Sequence, residues 1–179
     1  MRIISGSHKG RIISPPAGLK LRPTTDMARE GLFNILNNIV DYSELHVLDL
    51  FAGTGSMSYE FASRGAELVH SVEINTKHAS FIINTAKKLD MACIKVFRAD
   101  TRRYLEKTIN SYKLIFADPP YNLKWLEDIP EMVIGSDCLE PGGILILEHP
   151  SDYSFTGNEY FSEHRKYGSV NFSFFNRPI

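Results

Sequence analysis

The chain has 179 residues, 43% of them hydrophobic and 23% charged, which is typical of a globular protein that buries a core of its own. No apolar run approaches the roughly 20 residues needed to cross a bilayer, and the apolar part of the N-terminus is too short for a signal peptide. Without such a run we expect no membrane partner. Cys93 and Cys138 form no CxxC pair, so we expect a reducing cytoplasm. The six histidines show no metal-ligand spacing with the cysteines, so no metal is expected.

The net charge of −1 conceals an uneven distribution of charge along the chain. Residues 1–29 sum to +5, whereas residues 30–179 sum to −6. The basic side chains of the first segment are Arg2, Lys9, Arg11, Lys20, Arg22 and Arg29. A basic N-terminal arm on an acidic body predicts a contact with a polyanion, localised to the arm. The alternative is a solvated extension without a partner.

The chain begins with a predicted hairpin, which is followed by a helix. Residues 2–5 and 11–14 are short β-type runs on either side of a five-residue loop, and this pattern is typical of a hairpin. Apolar residues then recur at helical spacing, which predicts a helix from about residue 25 to 39. Either Thr24 or Thr25 can cap this helix.

After the first helix, strand-like and helix-like segments alternate with short connections. Short apolar runs predict strands at residues 47–50, 68–73, 94–97, 114–117 and 143–148. Helices are predicted between them at residues 55–64, after Asn75, at 101–109 and at 124–135. Two final β-type runs, near residues 160–166 and 169–175, predict a terminal hairpin. This order is typical of an α/β protein with a doubly wound, mostly parallel sheet and antiparallel strands at one edge.

The first three strands end in residues that suit a nucleoside ligand. The first runs into Asp49-Leu50-Phe51-Ala52-Gly53-Thr54-Gly55-Ser56, where two glycines let the backbone turn tightly and approach a ligand. The second ends at Glu73, 18 residues after Gly55, where a carboxylate can hold two ribose hydroxyls. Asp100 follows the third strand, where it can meet the amino edge of an adenine or cap the helix that begins at Thr101, and the two roles are compatible. Together these strand ends predict a pocket for an adenosine-bearing ligand.

Other nucleotide and hydrolase motifs are absent from the sequence. Ser58 occupies the third glycine position of G-x-G-x-x-G, which disfavours a dinucleotide fingerprint. The chain has no G-x-x-x-x-G-K-[ST], which disfavours a P-loop nucleotidase, and no G-x-S-x-G, which disfavours an α/β-hydrolase.

The fourth strand ends in Asp118-Pro119-Pro120-Tyr121. These residues bring a carboxylate, a carbonyl beside a nitrogen without N–H, and an aromatic ring to the edge where open α/β sheets bind ligands. Such a trio suits a planar amino group on an aromatic ring, because the two oxygens accept its N–H bonds and the ring of Tyr121 stacks on its face. The alternative is a tight turn in which Tyr121 only packs locally.

In chain order, the motifs D-x-F-A-G-T-G, V-E, A-D and D-P-P-Y resemble class I S-adenosylmethionine-dependent methyltransferases that act on exocyclic amino groups. More specifically, the chain resembles the small-subunit (16S) ribosomal RNA guanine-N2 methyltransferases, the RsmD-like family. This closer resemblance rests on residues 2–11, 22–26, 29–36, 50–55, 63–66, 116–121, 148–149 and 166–168, and so covers nearly the whole chain. Residues 56–60 and the weakly basic tail depart from the family pattern.

The resemblance implies a Rossmann-like methyltransferase fold with a seven-stranded sheet, an N-terminal β-hairpin extension and a C-terminal antiparallel hairpin. Residues 1–23 would form a basic hairpin arm that contacts RNA, and residues 24–179 the methyltransferase domain. The reaction would move a methyl group from S-adenosylmethionine to the N2 amino group of a guanine in 16S ribosomal RNA, with the base flipped into the D-P-P-Y site. The partner would be 16S ribosomal RNA or the assembling small subunit, and we expect a monomer.

The resemblance also assigns roles to individual residues. The catalytic residues would be Asp118, Pro119 and Tyr121. The cofactor would be bound by Asp49, Phe51, Ala52, Gly53, Thr54, Gly55, Glu73, Ile74, Asp100, Thr101 and Asp118. RNA would be bound by Arg2, Lys9, Arg11 and Arg22, and Lys124 and Trp125 are further candidates.

Three other functions use parts of the same pattern. A DNA adenine-N6 or protein glutamine-N5 methyltransferase would use the same acceptor trio. No target-recognition domain for DNA is evident, and the protein-glutamine enzymes usually begin the tetrapeptide with Asn, where this chain has Asp118. An NAD-type oxidoreductase is disfavoured by Ser58. A non-catalytic RNA-binding protein of the same fold is disfavoured by the intact tetrapeptide.

Overall fold

The computed structural model describes residues 1–19 and 24–179, and the predicted RNA contact Arg22 lies outside these ranges. The helices are α1 (Asp26–Leu36), α2 (Ser56–Ser63), α3 (Thr76–Lys88), α4 (Thr101–Lys107) and α5 (Ile129–Ile134). The strands are β1 (His46–Asp49), β2 (Leu68–Val72), β3 (Ile94–Phe97), β4 (Tyr112–Ala117), β5 (Leu139–His149), β6 (Phe161–Tyr167) and β7 (Val170–Asn176). Single turns of 3-10 helix lie at Ala17–Leu19 and Tyr42–Glu44.

The strands form a seven-stranded sheet in the order β3-β2-β1-β4-β5-β7-β6. Strands β1 to β5 are parallel, whereas β7 runs antiparallel to both β5 and β6. The chain moves outward from β1 to β2 and β3 on one side, and from β4 to β5 on the other. The carboxyl ends of β1 and β4 therefore flank the point where strand order reverses, which is where open α/β sheets bind ligands. The predicted fold class is confirmed.

Helices cover both faces of the sheet. On one face, α1 and α2 pack on β1 and β4 through side chains that include Phe33, Phe61 and Phe116. On the other face, α4 and α5 pack on the same strands. A third cluster joins α3 to Ile3 and Ile13 of the N-terminal segment. Because each large apolar side chain buried in this way contributes about 1.5–3 kcal/mol, the two-sided burial holds the strand ends at the switch point in place.

Side-chain caps start three of the helices where the sequence predicts. The Oγ1 of Thr25 accepts a hydrogen bond of 3.2 Å from the backbone N of Ala28 at the start of α1. Asn75 caps α3, and Asp100 caps α4. Of the two threonines that could cap α1, Thr25 therefore does so, and Thr24 has a different partner that lies at the candidate site.

The predicted helix 124–135 is wrong in its first half, because α5 begins only at Ile129. The residues before it run through successive turns, closed by backbone bonds from Leu123 to Pro120 and from Leu126 to Leu123. Pro130 lies in the first turn of α5. A proline lacks the N–H that an interior helix position needs and is tolerated in the first turn, so the helix starts where Pro130 allows it.

Three other predicted boundaries also move. β5 begins at Leu139 rather than at residue 143, because Leu139 pairs with Tyr112 before the register shifts. From there to the pair Leu114 and Ile144, β4 advances two residues and β5 five, so β5 carries three extra residues, and glycine at positive φ, as at Gly142 with φ 67°, eases the bend. At their carboxyl ends, α1 stops at Leu36 and α4 at Lys107, each two or three residues early.

The N-terminal arm pairs with itself and docks on α2. Its two runs pair antiparallel, with Arg2 opposite Ile12 and backbone hydrogen bonds from Ile3 N to Arg11 O (3.0 Å) and from Ile13 N to Met1 O (2.9 Å). Glu60 of α2 is fully buried, and its carboxylate accepts hydrogen bonds from the backbone N of Ile4 (2.8 Å) and of Ser5 (3.1 Å). This buried carboxylate ties the arm to the body. The division of the chain at residue 23 stays a prediction.

Two glycines of the arm offer a matched test of this docking. Gly6 and Gly10 both have φ near +84°, but only at Gly6 would a Cβ meet a neighbour, the backbone oxygen of Ser63 at 1.8 Å. We expect Gly10→Ala to lower the free energy of unfolding by about 1 kcal/mol, the cost of a left-handed alanine. Gly6→Ala should lower it by about 3 kcal/mol, because the arm must also move off α2. Urea unfolding measures both, and equal losses would show that the arm is not held against α2.

Candidate active site

A glycine turn connects β1 to α2 at the switch point. Gly53 and Gly55 both have positive φ, 55° and 88°, and Gly55 is the N-terminal cap of α2. A Cβ on Gly55 would come within 2.8 Å of the ring of Tyr59, so the turn requires glycine there for space as well as for φ. The turn therefore brings backbone close to the mouth of the site, together with the free N–H groups of the first turn of α2.

Glu73 lies against this turn at the carboxyl end of β2. Its Oε2 accepts a 2.8 Å hydrogen bond from the backbone N of Gly53, and its Oε1 accepts a 2.7 Å bond from the backbone N of Asn75. The side chain is 10% exposed, and Nδ1 of His78 lies 3.8 Å from Oε1. Because a carboxylate offers about four lone-pair positions, Glu73 retains acceptor capacity beyond these two backbone bonds. The ribose contact of Glu73 stays a prediction.

Asp49 is turned into the interior rather than toward the mouth. It is 1% exposed, and its Oδ2 accepts a 2.6 Å hydrogen bond from Oγ of Ser58, which in turn lies 2.7 Å from Oγ of Ser71. Burial raises the pKa of Asp49 to about 7. Ser58, which stands at the third glycine position of a dinucleotide fingerprint, thus donates a hydrogen bond to a buried carboxyl group. Direct contact between Asp49 and a cofactor stays a prediction.

The raised pKa of Asp49 predicts a pH-dependent stability. Between its ordinary value of 3.8 and about 7, the folded protein keeps a proton that the unfolded chain releases. The free energy of unfolding should therefore fall with rising pH across this window, by up to about 1.4 kcal/mol per pH unit. Asp49→Asn cannot titrate, so the wild-type minus variant difference should show this decline. We would measure it by urea unfolding at pH 4.5, 5.5 and 6.5, and parallel curves would contradict the assignment.

The remaining predicted cofactor residues differ in exposure, and their contact with a cofactor stays a prediction. Ile74, just beyond Glu73, is 67% exposed, so its side chain is accessible to a ligand. Asp100 is exposed, and Thr101 is buried with its Oγ1 donating to the backbone oxygen of Leu50 at 3.0 Å. Phe51 is half-buried, while Ala52 and Thr54, which belong to the turn, are buried.

The tetrapeptide 118–121 follows β4 directly. Asp118 and Tyr121 are half-buried, Pro119 is buried, and Pro120 is exposed. The backbone oxygen of Pro120 accepts from Leu123 N at 2.9 Å and closes a turn that places Tyr121 at the strand end. In the sheet, Asp49 pairs with Phe116. Asp118 thus lies two residues past Phe116, just as Phe51 lies two residues past Asp49, and the glycine turn and the tetrapeptide begin side by side.

Glu148 is a residue of the site that sequence reasoning did not assign. It lies near the end of β5, the strand next to β4, and is 4% exposed. Its Oε1 accepts a 3.2 Å hydrogen bond from the hydroxyl of Tyr121, and its Oε2 a 2.8 Å bond from Oγ1 of Thr24. The signal that could have found it is a carboxylate that directly follows four apolar residues of a central strand, Ile144, Leu145, Ile146 and Leu147.

Outside the pocket, the basic residues described in segment 1–29 divide into exposed and buried groups. Arg2, Lys9 and Arg11 are exposed, and the guanidinium of Arg2 lies 3.3 Å from Oδ2 of Asp26. Arg29, by contrast, is 1% exposed and donates to Asp26 (2.6 Å) and to the backbone oxygen of Arg2 (2.7 Å). Of the four basic side chains that the structure describes in residues 1–29, the first three therefore face solvent. Near the tetrapeptide, the guanidinium of Arg102 lies 4.3 Å above the ring of Trp125.

Residues 1–19 and 24–179 contain neither a metal-binding cluster nor a helix that could span a membrane. Within these ranges, no group of three or more His, Cys, Asp or Glu side chains is arranged to hold a metal ion. Among the helices that the structure describes there, none is both long enough and apolar enough to cross a membrane.

Comparison with known proteins identifies the family. A family model described as conserved hypothetical protein 95 matches residues 1–176. The "Ribosomal RNA small subunit methyltransferase D" of Buchnera aphidicola subsp. Acyrthosiphon pisum is 40% identical over 153 residues, which cover 85% of this chain and 79% of that protein. The chain belongs to the RsmD family. The family recognised from the sequence motifs is thus confirmed.

Two further similarities agree with this membership. The "Putative rRNA methyltransferase YlbH" of Bacillus subtilis is 35% identical over 153 residues, covering 83% of this chain and 82% of that protein. A solved structure of the "Putative methyltransferase yhhF" of Escherichia coli superposes with a TM-score of 0.86 and 26% identity, covering 99% of this chain and 98% of that one. The RsmD-family match therefore extends over the arm, the glycine turn and the tetrapeptide together.

Proposed function

We propose that this protein transfers a methyl group from S-adenosylmethionine to the N2 amino group of a guanine in 16S ribosomal RNA. The observation that carries the proposal is the side-by-side origin of the glycine turn and the tetrapeptide at the ends of the paired strands β1 and β4. A cofactor bound at the first would present its methyl group to an acceptor held at the second. The names of the RsmD-family relatives support ribosomal RNA as the substrate.

The described residues fit S-adenosylmethionine. Gly53 and Gly55 both have positive φ, so the chain turns sharply at the carboxyl end of β1, and their backbone would lie against the cofactor. Glu73 would accept from the ribose hydroxyls while its bonds to Gly53 and Asn75 hold it in place. Ile74 would cover the adenine ring, and Asp100 would meet its amino edge. The bound cofactor supplies a methyl group already activated on a sulfonium, and S-adenosylhomocysteine is the product.

The tetrapeptide would orient the acceptor. The lone pair of a guanine N2 is delocalised into the ring and is weakly nucleophilic. Acceptance of its two N–H bonds by the Asp118 carboxylate and the Pro119 carbonyl favours a pyramidal nitrogen whose lone pair faces the methyl group. As the new C–N bond forms, the C–S bond breaks with its electron pair on sulfur, and the nitrogen then loses one proton to Asp118 or to water. Alignment and charge stabilisation would supply most of the rate.

The base must leave its helix to reach this site. Enzymes that act on a base inside a stacked duplex flip it into a pocket and read it by hydrogen bonds and stacking. Tyr121 is half-buried, and its hydroxyl is bonded at one end of the ring, so stacking would use a ring face. We propose that the flipped guanine stacks there, and that the protein acts as a cytoplasmic monomer on 16S ribosomal RNA or the assembling small subunit.

The arm would hold RNA through phosphates. Arg2, Lys9 and Arg11 are exposed on a segment that Glu60 ties to the body. Because each phosphate contact releases counterions, the double variant Lys9→Ala/Arg11→Ala should bind 16S ribosomal RNA more weakly. Its plot of log affinity against log salt should also lose about 0.7–0.9 of slope per contact. Filter binding from 50 to 300 mM salt measures this, with Lys107→Ala on α4 as a control. Identical slopes would exclude the arm from RNA binding.

A methyl-transfer assay with four acceptors tests the proposed function. Purified protein and labelled S-adenosylmethionine are incubated with unmethylated small subunits, naked 16S ribosomal RNA, duplex DNA, and unmodified ribosomal or release-factor protein. We expect label only in ribosomal RNA. Label in DNA adenine or in protein glutamine would instead support the corresponding alternative methyltransferase. NAD binding with no affinity for S-adenosylhomocysteine would support an oxidoreductase.

A further inference from the structure

Glu148 joins two separate parts of the site through its two carboxylate oxygens. One oxygen accepts from the hydroxyl of Tyr121 in the tetrapeptide, and the other from the hydroxyl of Thr24 just before α1. Glu148 and Thr24 are 4% and 5% exposed. The two donors come from segments 97 residues apart in the chain, so this single side chain connects the end of β4 to the start of the first helix.

Stability alone does not explain a carboxylate at this position. The preceding residues of β5, Ile144 to Leu147, are apolar, and a further apolar residue would fill the same space without being desolvated. Burying a charge costs free energy that its hydrogen bonds offset only in part, so a buried carboxylate is weak evidence for a stabilising role. What Glu148 provides and an apolar residue cannot is a fixed direction for the two hydroxyls.

The bond from Tyr121 to Glu148 is made by the hydroxyl at the edge of the ring, whereas a stacked base would lie on a ring face. A phenol O–H lies near the plane of its ring, so the bond to Oε1 of Glu148 restrains the hydroxyl end of the ring and does not itself cover either face. The bond to Thr24 restrains the same carboxylate from the opposite side. Thr25, the next residue, caps α1. The orientation of the ring is thereby coupled to the start of α1, where the chain emerges from the N-terminal arm.

We propose that Glu148 is a positioning residue for methyl transfer, which holds the Tyr121 ring in the orientation that the acceptor base stacks on. This inference rests on the proposed function. A misoriented ring would hold the base with its amino nitrogen off the line to the methyl group, and small losses of alignment cost rate more than binding. The carboxylate touches neither reactant, so it acts through Tyr121.

The first test separates rate from binding. Glu148→Gln keeps the shape of the side chain but can accept through only one oxygen. We expect kcat for methylation of small subunits to fall about tenfold, with KM for RNA and the affinity for S-adenosylhomocysteine changed by less than about twofold. Glu163→Gln, in the exposed edge strand β6, should leave all three values unchanged. A rise in KM or a loss of S-adenosylhomocysteine affinity with unchanged kcat would contradict a positioning role.

The second test measures coupling between the residues. Tyr121→Phe keeps the stacking face and loses the hydroxyl, so we expect it to lower kcat about tenfold in the wild type but less than about twofold in Glu148→Gln. Thr24→Val gives the same comparison should Glu148→Gln fold poorly. Multiplicative losses would overturn the inference. A wild-type protein that methylates no RNA would overturn the proposed function itself, whereas an active wild type with multiplicative losses overturns the role of Glu148 alone.

Discussion

Replacement of Asp118 by alanine is expected to lower kcat about a thousandfold while leaving the affinity for S-adenosylhomocysteine within about twofold of the wild type. Asp118 is the charged acceptor of the tetrapeptide at the end of β4, beside the glycine turn that would hold the cofactor. Its loss would leave the amino group with one acceptor and no negative charge beside the developing positive charge on nitrogen. Single-turnover methylation of small subunits and calorimetry with S-adenosylhomocysteine measure the two quantities separately.

Two further variants control this result. Asp118→Asn keeps an oxygen acceptor and loses the charge, so its kcat should lie between those of the alanine variant and the wild type. Asp128, at the start of α5, is exposed and makes no capping bond through its side chain, so Asp128→Ala should have wild-type kcat. Near-normal turnover by Asp118→Ala would remove Asp118 from the mechanism. An equal loss of S-adenosylhomocysteine affinity would make it a cofactor residue only.

Replacement of Glu73 by alanine should have the largest effect on cofactor binding. The carboxylate accepts from the backbone N of Gly53 and of Asn75, so the variant loses both the proposed ribose contact and the restraint on the glycine turn. Hydrogen bonds to charged groups contribute about 1.5–3 kcal/mol each, so we expect the dissociation constant of S-adenosylhomocysteine to rise about a hundredfold. Isothermal calorimetry measures it. At saturating cofactor, kcat should recover to within about threefold of the wild type.

The same strand supplies the control. Glu67 precedes β2 at its amino end, is exposed, and lies 3.4 Å from Nε2 of His46, whereas Glu73 follows β2 at its carboxyl end. Glu67→Ala removes the same charge from the far end of the strand and should leave cofactor affinity unchanged. If Glu73→Ala bound S-adenosylhomocysteine as well as Glu67→Ala does, the ribose role of Glu73 would be wrong.

Local signals predicted the parts of the fold that place the site. Short apolar runs marked the central strands, and the capping roles of Asn75 and Asp100 followed from their positions. The parallel order then places successive strand ends on one edge, which is why Glu73 and Asp118 could be assigned to one pocket before any contact was known. The wrong start of the predicted helix 124–135 was avoidable, because that helix would place Pro130 in its interior, where proline is disfavoured.

Contacts between distant segments were not predictable in this way. Three hydrogen bonds join residues that no spacing rule connects. They run from Ile4 N to Glu60, from Ser58 to Asp49, and from Thr24 to Glu148. Thr24 and Thr25 were equal candidates for capping α1 until tertiary packing gave Thr24 another partner. In each case a buried carboxylate accepts a hydrogen bond from a donor in a different segment, and only folding brings the donor and the acceptor together.

Mass mapping of methylated nucleosides in 16S ribosomal RNA tests the central claim most directly. RNA would be taken from cells that lack this protein and from the same cells carrying the wild-type or the Asp118→Ala gene. The account predicts that one N2-methylguanosine disappears without the protein, returns with the wild type, and stays absent with Asp118→Ala. A 16S ribosomal RNA whose N2-methylguanosines are all unchanged by loss of the protein would contradict it, as would a dependent methyl group on any other atom.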